Sequence, residues 1–159
     1  MTASRVELDP VGVVEGGRVQ PVDDDWGNVE ARIVLDDRFP PDATAGLEDF
    51  SHLEVVFLFH LVDPATVHVG ARHPRGRSEW PKVGIFAQRA KARPNRIGVT
   101  ICELLGVDGR LLSVRGLDAV DGTPVLDIKP YLTAFSPRTR VREPAWVHEL
   151  MREYWTTEQ

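Results

Sequence analysis

Residues 97–117 read Ile-Gly-Val-Thr-Ile-Cys-Glu-Leu-Leu-Gly-Val-Asp-Gly-Arg-Leu-Leu-Ser-Val-Arg-Gly-Leu and carry the clearest signal for the fold. Two apolar runs, residues 97–107 and 111–117, are separated by Asp108-Gly109. Asp-Gly between apolar runs is a strong hairpin signal, because both residues tolerate positive φ in a tight turn. The segment therefore predicts two neighbouring antiparallel strands.

Three further segments have strand patterns. Residues 29–35 alternate polar and apolar side chains, which predicts a half-buried strand. Residues 52–61 form a nearly continuous apolar run rich in Val and Phe, which predicts a strand covered on both faces. Residues 125–131 follow a second Asp-Gly turn and predict another strand. The chain is therefore expected to be mainly β.

The C-terminal segment has the clearest helical pattern. Pro144 can occupy a first helical position, and apolar side chains recur at spacings of three and four in the residues that follow. These side chains are Trp146, Val147, Leu150, Met151, Tyr154 and Trp155. We expect a helix over about 144–155 that packs on a barrel or on a partner chain, and we assign no chemistry to it.

The composition is that of a soluble globular protein. The chain has 159 residues, of which 42% are apolar and 27% charged, so one domain over residues 1–159 is expected. The single cysteine, Cys102, lies in an apolar run and is expected to be a buried thiol. No run approaches the roughly 18 apolar residues of a membrane span, and the first residues lack the apolar core of a signal peptide. These features predict a cytoplasmic protein without membrane contact.

Charge is unevenly distributed along the chain. The net charge is −5, and residues 1–50 hold twelve acidic and four basic side chains. Residues 72–96 instead hold eight Lys and Arg, here called the cation cluster, against the single acid Glu79. The cluster is either a solvated basic loop paired with the acidic N-terminal half or a site for phosphate, carboxylate or a nucleic-acid backbone.

Common nucleotide and metal motifs are absent from the sequence. There is no Gly-x-Gly-x-x-Gly after a first strand and no Walker A motif, so a Rossmann or P-loop site is unsupported. The five histidines form no His-Glu-x-x-His pattern, and a single cysteine cannot supply zinc-ribbon spacings. No metal site is expected.

Two polar segments, residues 86–98 and 117–131, combine charged side chains with turn-forming residues. In the first, Pro94 favours an extended Arg93 and Asn95 tolerates left-handed geometry, so the turn can present amides and guanidinium groups to a ligand. In the second, Asp127, Lys129 and Tyr131 share one face of a strand. Asp127 and Lys129 are therefore either a weak surface ion pair or part of a site.

Several stretches resemble the TrmO family, also called TsaA-like or YaeB-like proteins, over about residues 8–135. They are Val-Gly-Val-Val at 11–14, Gly-Leu-Glu-Asp-Phe-Ser-His-Leu at 46–53, Gly-Ile-Phe-Ala-Gln-Arg at 84–89, Arg-Pro-Asn-Arg-Ile-Gly at 93–98, Leu-Asp at 117–118 and Asp-Gly-Thr-Pro-Val-Leu-Asp-Ile-Lys-Pro-Tyr at 121–131. The resemblance implies one antiparallel β-barrel that binds S-adenosylmethionine and commonly forms a homodimer. Members that act on tRNA methylate N6 of N6-threonylcarbamoyladenosine beside the anticodon, so the tRNA anticodon loop is an implied partner.

The resemblance also implies site residues. Arg89 would hold the methionyl carboxylate, and Asp118 would take ribose hydroxyls or the methionyl ammonium. Asp127 would accept a proton from the acceptor nitrogen, while Lys129 and Arg93 would hold substrate carboxylate or phosphates. The full set of implied cofactor contacts is His60, Leu61, Phe86, Ala87, Gln88, Arg89, Asn95, Gly98, Val99, Arg115, Gly116, Leu117 and Asp118.

The chain departs from the family pattern at three places. Arg96 replaces the second proline of Arg-Pro-Asn-Pro-Ile-Gly, Gln88 stands where a small hydroxyl residue is common, and no counterpart of the smaller C-terminal domain is seen. Two alternatives to tRNA methylation therefore stay open. The chain could methylate a small metabolite, or it could be a cofactor-binding module without transfer activity.

Overall fold

The computed structural model describes residues 2–156, whose strands form a closed antiparallel barrel and a small separate sheet. The elements are β1 (Gly12–Glu15), β2 (Glu30–Leu35), β3 (His52–Leu58), β4 (Ala71–Arg72), β5 (Val83–Gly84), β6 (Ile97–Asp108), β7 (Leu111–Arg115), β8 (Pro124–Pro130) and α1 (Ala145–Leu150). The barrel order is β1-β2-β7-β6-β3-β8, and β4 pairs with β5. The predicted mainly β fold, an antiparallel barrel with a C-terminal helix, is confirmed.

The alternating strand directions define two ends of the barrel. At the upper end β1, β3 and β7 finish and β2, β6 and β8 begin, as the pairs Leu58–Ile97 and Arg115–Glu30 show. The lower end carries the β6–β7 turn, where Gly109 has a φ of 56°. That positive φ is the reason a glycine stands in the predicted Asp-Gly hairpin turn, which is confirmed.

Alternate side chains of each strand fill the barrel. In β3, Leu53, Val55 and Phe57 are at most 1% exposed, whereas Val56 and Leu58 on the outer face are half-buried. The prediction of a strand covered on both faces is therefore wrong for β3, which also ends three residues earlier than the apolar run. Burial of each side chain of this size stabilises the fold by about 1.5–3 kcal/mol. A one-residue slip in the strand register would move all of these side chains out of the core.

Gly98 lies against two aromatic rings at the upper end. The rings of Phe57 and Phe59 meet edge to face with centroids 5.3 Å apart. A Cβ on Gly98 would lie 2.6 Å from ring carbons of Phe57 and 2.8 Å from the ring of Phe59. The approaching group is an aromatic ring of the protein's own core, so this position requires glycine.

The C-terminal segment is held at the upper end of the barrel. The backbone carbonyls of Glu153 and Tyr154 accept hydrogen bonds from the backbone N–H groups of Asp25 and Trp26, at 3.0 and 2.9 Å. Because these bonds draw the chain out of a helical path, residues 151–154 form turns and α1 is shorter than the predicted 144–155. Trp26 itself is buried, so the attachment point is part of the folded body.

Candidate functional site

Most of the implied cofactor residues meet at the upper end of the barrel. His60 and Leu61 directly follow β3, residues 86–95 lead into β6, and Gly116 to Asp118 directly follow β7. Because these strands are neighbours in the order β7-β6-β3, their connections are adjacent. The upper end is therefore the candidate site.

Asp118 is held by two elements that lie far apart in the sequence. The Thr100 hydroxyl donates a hydrogen bond to Oδ1 of Asp118, and the Tyr154 hydroxyl donates one to Oδ2. The carboxylate is half-buried and its orientation is fixed from both sides. Sequence analysis assigned no chemistry to Tyr154, because no local pattern relates it to a residue thirty-six positions earlier.

The Asp118 carboxylate also affects its neighbours. Burial and then the charge of Asp118 raise the pKa of the Cys102 thiol to about 12. Burial, followed by the charge of Asp118 and the hydrogen bond to it, likewise raises the pKa of Tyr154. Cys102 is therefore an unreactive buried thiol, as predicted, and Tyr154 acts as a hydrogen-bond donor at neutral pH.

Replacing Tyr154 with phenylalanine should lower the free energy of unfolding by about 1.5 kcal/mol, because it removes a hydrogen bond to a carboxylate. Tyr131→Phe is the matched control, since the Tyr131 hydroxyl bonds the neutral Ser136 hydroxyl. We expect it to cost about 1 kcal/mol or less in urea unfolding at pH 7.

Wild type and Tyr154→Phe also provide a test at alkaline pH. The folded-state pKa of Tyr154 lies above its ordinary value of 10.0, so its contribution is full below pH 10.0 and is lost as pH rises further. Wild type should lose more stability than Tyr154→Phe between pH 10.0 and pH 11. Parallel losses in the two proteins would contradict a buried Tyr154–Asp118 pair.

Arg89 stands beside the start of β6 with its guanidinium oriented by the backbone. Nη2 of Arg89 donates a hydrogen bond to the carbonyl oxygen of Val99 at 2.8 Å. Arg89 is exposed, and the nearby Phe86 side chain is 80% exposed, so both a cation and an aromatic face are open to a ligand. Such a pair can bind a carboxylate and a flat ring.

Gln88 faces the protein interior, whereas the neighbouring Arg89 is exposed. It is buried, and its side-chain amide donates hydrogen bonds to the carbonyls of Arg72 and Val83 at 3.1 and 2.9 Å. The side chain therefore anchors the β4–β5 sheet to the segment that carries Arg89. Because it is buried, the Gln88 side chain supports the segment that carries Arg89 and is not exposed to a ligand.

The turn before β6 is shaped by two left-handed residues. Asn95 and Arg96 have φ values of 63° and 50°. Asparagine tolerates this region, as predicted, whereas proline is restricted to φ near −65° and could not adopt the conformation of Arg96. Arg93 and Arg96 then donate hydrogen bonds to the carbonyls of Gln88 and Val62, at 2.6 and 2.9 Å. Both guanidinium groups brace the loop.

The cation cluster is largely occupied by internal partners. Arg75 pairs with Asp24 at 2.9 Å, and Lys91 lies 3.7 Å from Asp23, so part of the cluster is paired with the acidic N-terminal half. Within residues 2–156, Nε of Arg72 is buried without a hydrogen-bond partner. Three of the eight cations, Arg75, Arg77 and Lys91, thus have a carboxylate partner.

Asp127 and Lys129 do not lie at the upper end of their own barrel. They follow the first residue of β8 by three and five positions, or about 10 and 17 Å along the strand. Lys129 Nζ lies 2.8 Å from Asp127 Oδ2, and this hydrogen bond and charge raise the pKa of Lys129. Asp127 also lines a cavity of about 440 Å³ beneath the segment that contains Phe39 and Phe50.

Arg115 likewise directs its side chain away from the upper end. Its guanidinium lies on the outer face of the barrel and contacts carboxylate oxygens of Glu30 and Glu103 at 2.8 and 3.3 Å. Its side chain is 37% exposed. The Arg115 side chain therefore does not face the upper end. Only the Arg115 backbone could make the implied contact with a ligand there.

Within residues 2–156, no three or more His, Cys, Asp or Glu side chains are arranged so that they could hold a metal ion. No helix in the described part of the chain is long and apolar enough to cross a membrane.

The fold and this end of the barrel define a class: a closed antiparallel β-barrel that carries an exposed guanidinium and a fixed carboxylate at one end. The family profile of the tRNA-methyltransferase O N-terminal domain matches residues 20–136. The chain therefore belongs to the TrmO family.

Individual relatives agree with this placement. A probable S-adenosyl-L-methionine-binding protein of Methanothermobacter thermautotrophicus is 41% identical over 137 residues, covering 82% of this chain and 93% of that protein. The tRNA (adenine(37)-N6)-methyltransferase of Escherichia coli is 45% identical over 95 residues, or 57% of this chain and 40% of that protein. A crystal structure of TrmO from Pseudomonas aeruginosa superposes with a TM-score of 0.66 at 30% identity, covering 89% of this chain and 62% of that one. The chain thus spans nearly all of the archaeal relative but less than two thirds of the other two.

Proposed function

We propose that this protein is an S-adenosylmethionine-dependent methyltransferase whose cofactor binds at the upper end of the barrel. The observation that carries the proposal is the placement of Arg89 and Asp118 together, one oriented by Val99 and the other by Thr100 and Tyr154. Family membership and the names of the relatives support the same cofactor.

The donor set fits S-adenosylmethionine. The Arg89 guanidinium suits the methionyl carboxylate, and the fixed Asp118 carboxylate suits the methionyl ammonium or the ribose hydroxyls. Phe86 offers an exposed ring for the adenine, and His60 and Leu61 border the same end. When bound, the cofactor supplies a methyl group activated by a sulfonium. The remaining contribution of the protein is to hold the acceptor nitrogen in line behind that methyl.

The acceptor that we propose is N6 of N6-threonylcarbamoyladenosine, next to the anticodon of tRNA. Relatives named tRNA (adenine(37)-N6)-methyltransferase support this choice. Arg93 would hold an anionic group of the substrate near the upper end. Lys129 would act in the same way, and Asp127 would accept the proton of the weakly nucleophilic nitrogen.

A homodimer would reconcile these roles with the geometry. Asp127 and Lys129 lie along β8, away from the upper end of their own barrel, so they would serve the site of a second copy. We accordingly propose a cytoplasmic homodimer, with residues 1–159 acting as a single domain. Asp127 and Lys129 on their own barrel remain a surface ion pair unless that second copy is present.

The experiment that tests the proposal is a methyl-transfer assay on tRNA that carries N6-threonylcarbamoyladenosine. After incubation with protein and S-adenosylmethionine, nuclease digestion and mass spectrometry should show one added methyl group on that nucleoside. Arg89→Ala serves as the negative control. An unchanged nucleoside with wild-type protein would refute the proposed acceptor.

A second candidate is methylation of a small metabolite. It is favoured by the net charge of −5. The same assay with the free nucleoside separates the candidates, because a small-molecule enzyme would not require the tRNA. A cofactor-binding module would bind S-adenosylmethionine and methylate neither substrate.

A further inference from the structure

The connection between the barrel and α1 is rich in exposed cations. Arg138, Arg140 and Arg142 occupy every second position and are all exposed. Phe135, at the start of this connection, is 80% exposed. We call residues 135–142 the arginine strap. It lies almost entirely beyond the family match, which ends at residue 136.

Unlike Arg75, Arg77 and Lys91 of the cation cluster, the arginines of the strap have no carboxylate partner within residues 2–156. Arg75 and Lys91 of the cluster pair with Asp24 and Asp23. Within residues 2–156, neither a hydrogen bond nor a salt bridge engages the guanidinium groups of the strap. No acidic residue occurs between Asp127 and Glu143, in a chain whose net charge is −5. This local excess of positive charge is therefore directed to solvent.

The topology places the strap between the lower end of the barrel and the candidate site. β8 ends at the lower end of the barrel, and the C-terminal segment that follows α1 is attached at the upper end, where Tyr154 contacts Asp118. The connection must therefore travel the length of the barrel, roughly 20 Å for a seven-residue strand. Its start is fixed by the hydrogen bond between Tyr131 and Ser136. The strap thus leads along the barrel towards Asp118.

Unmatched guanidinium groups beside an exposed aromatic ring are suited to single-stranded nucleic acid, because arginines bind phosphates and the ring stacks on a base. We infer that the arginine strap binds the backbone of an RNA substrate and leads it to the upper end. The inference rests on the proposed function for the identity of the substrate as RNA. Arginine contacts of this kind are independent of sequence and depend strongly on salt.

The test measures binding of a fluorescent anticodon stem-loop RNA to the full chain over a salt series. Replacing Arg138, Arg140 and Arg142 together with glutamine should weaken binding at least about tenfold near 0.1 M salt and make the salt slope shallower by about 2. Phe135→Ala should weaken binding about tenfold with little change in slope. The matched control replaces the exposed Arg5, Arg32 and Arg38, which removes the same charge, and should weaken binding less than about threefold.

The outcomes distinguish this inference from the proposed function. Calorimetric binding of S-adenosylmethionine should be unchanged in the strap variant, which shows that it is folded. Wild-type protein that does not bind RNA, or a strap variant with wild-type affinity and slope, would overturn the inference. If wild type bound polyglutamate as tightly as the RNA, and the strap variant lost both affinities equally, the strap would be assigned to acidic polypeptides instead. If RNA binding depends on the strap but wild type transfers no methyl group, the inference stands and the proposed function fails.

Discussion

Replacing Arg89 with alanine is expected to weaken S-adenosylmethionine binding about thirtyfold, or about 2 kcal/mol. The guanidinium is oriented by its hydrogen bond to the Val99 carbonyl, so little side-chain freedom remains to be lost when a carboxylate binds. Because Arg89 is exposed, the effect should be smaller than for a fully desolvated ion pair. Isothermal titration calorimetry of the two proteins measures the difference directly.

Two further variants make this experiment specific. Arg89→Lys keeps the charge but loses the planar fork, so its affinity should lie between those of wild type and alanine. Arg38→Ala removes an exposed arginine that contacts Asp36 and the Pro10 carbonyl, beyond the end of β2 at the opposite end of the barrel. Its affinity should match wild type. Equal affinity of Arg89→Ala and wild type would exclude Arg89 from the cofactor site, and undetectable wild-type binding would count against the proposed cofactor.

Replacing Gly98 with alanine is expected to destabilise the fold by about 3 kcal/mol, the upper part of the range for overpacked cores. The added Cβ would lie 2.6 Å from ring carbons of Phe57, a ring that is only 1% exposed and cannot move into solvent. The nearby edge of Phe59 blocks the other direction. Urea unfolding followed by circular dichroism measures the loss.

Gly106 provides the matched control in the same strand. A Cβ at Gly106 would meet no atom within 4 Å, so Gly106→Ala should change stability by less than about 0.5 kcal/mol. Shortening the obstructing ring with Phe57→Leu should make Gly98→Ala less costly than it is in the wild-type background, because the two changes share one contact. Additive costs of Gly98→Ala and Phe57→Leu would show that the ring is not the source of the strain.

Much of the fold was readable because its signals are local. The Asp108-Gly109 turn and the flanking apolar runs predicted the β6–β7 hairpin, since φ preferences and a two-residue period act within a few residues. The apolar run after residue 52 was harder to interpret. Composition alone does not distinguish two buried faces from one core face and one half-buried outer face, because that depends on which strands close the barrel.

The candidate site was only partly predictable for the same reason. The family resemblance implied Arg89 and Asp118 as site residues. The strand order places the connections that carry these two residues at the upper end. Three assignments required the tertiary structure: Gln88 supports the β4–β5 sheet, Asp127 and Lys129 lie away from that end, and two cations of the cluster pair with acids of the N-terminal half. Each depends on contacts between residues far apart in the chain, which no spacing rule encodes.

By itself, then, the sequence predicted a mainly β chain with a turn-shaped polar segment before β6, and its resemblance to the TrmO family implied the closed barrel. Backbone preference, hydrophobic period and turn chemistry are local properties, and they are written residue by residue. The tertiary structure alone decided which polar groups were still available to a ligand. Tyr154 fixes Asp118, Asp24 neutralises Arg75, and the arginine strap is left unmatched, because hydrogen bonds and ion pairs are distributed only when distant segments meet.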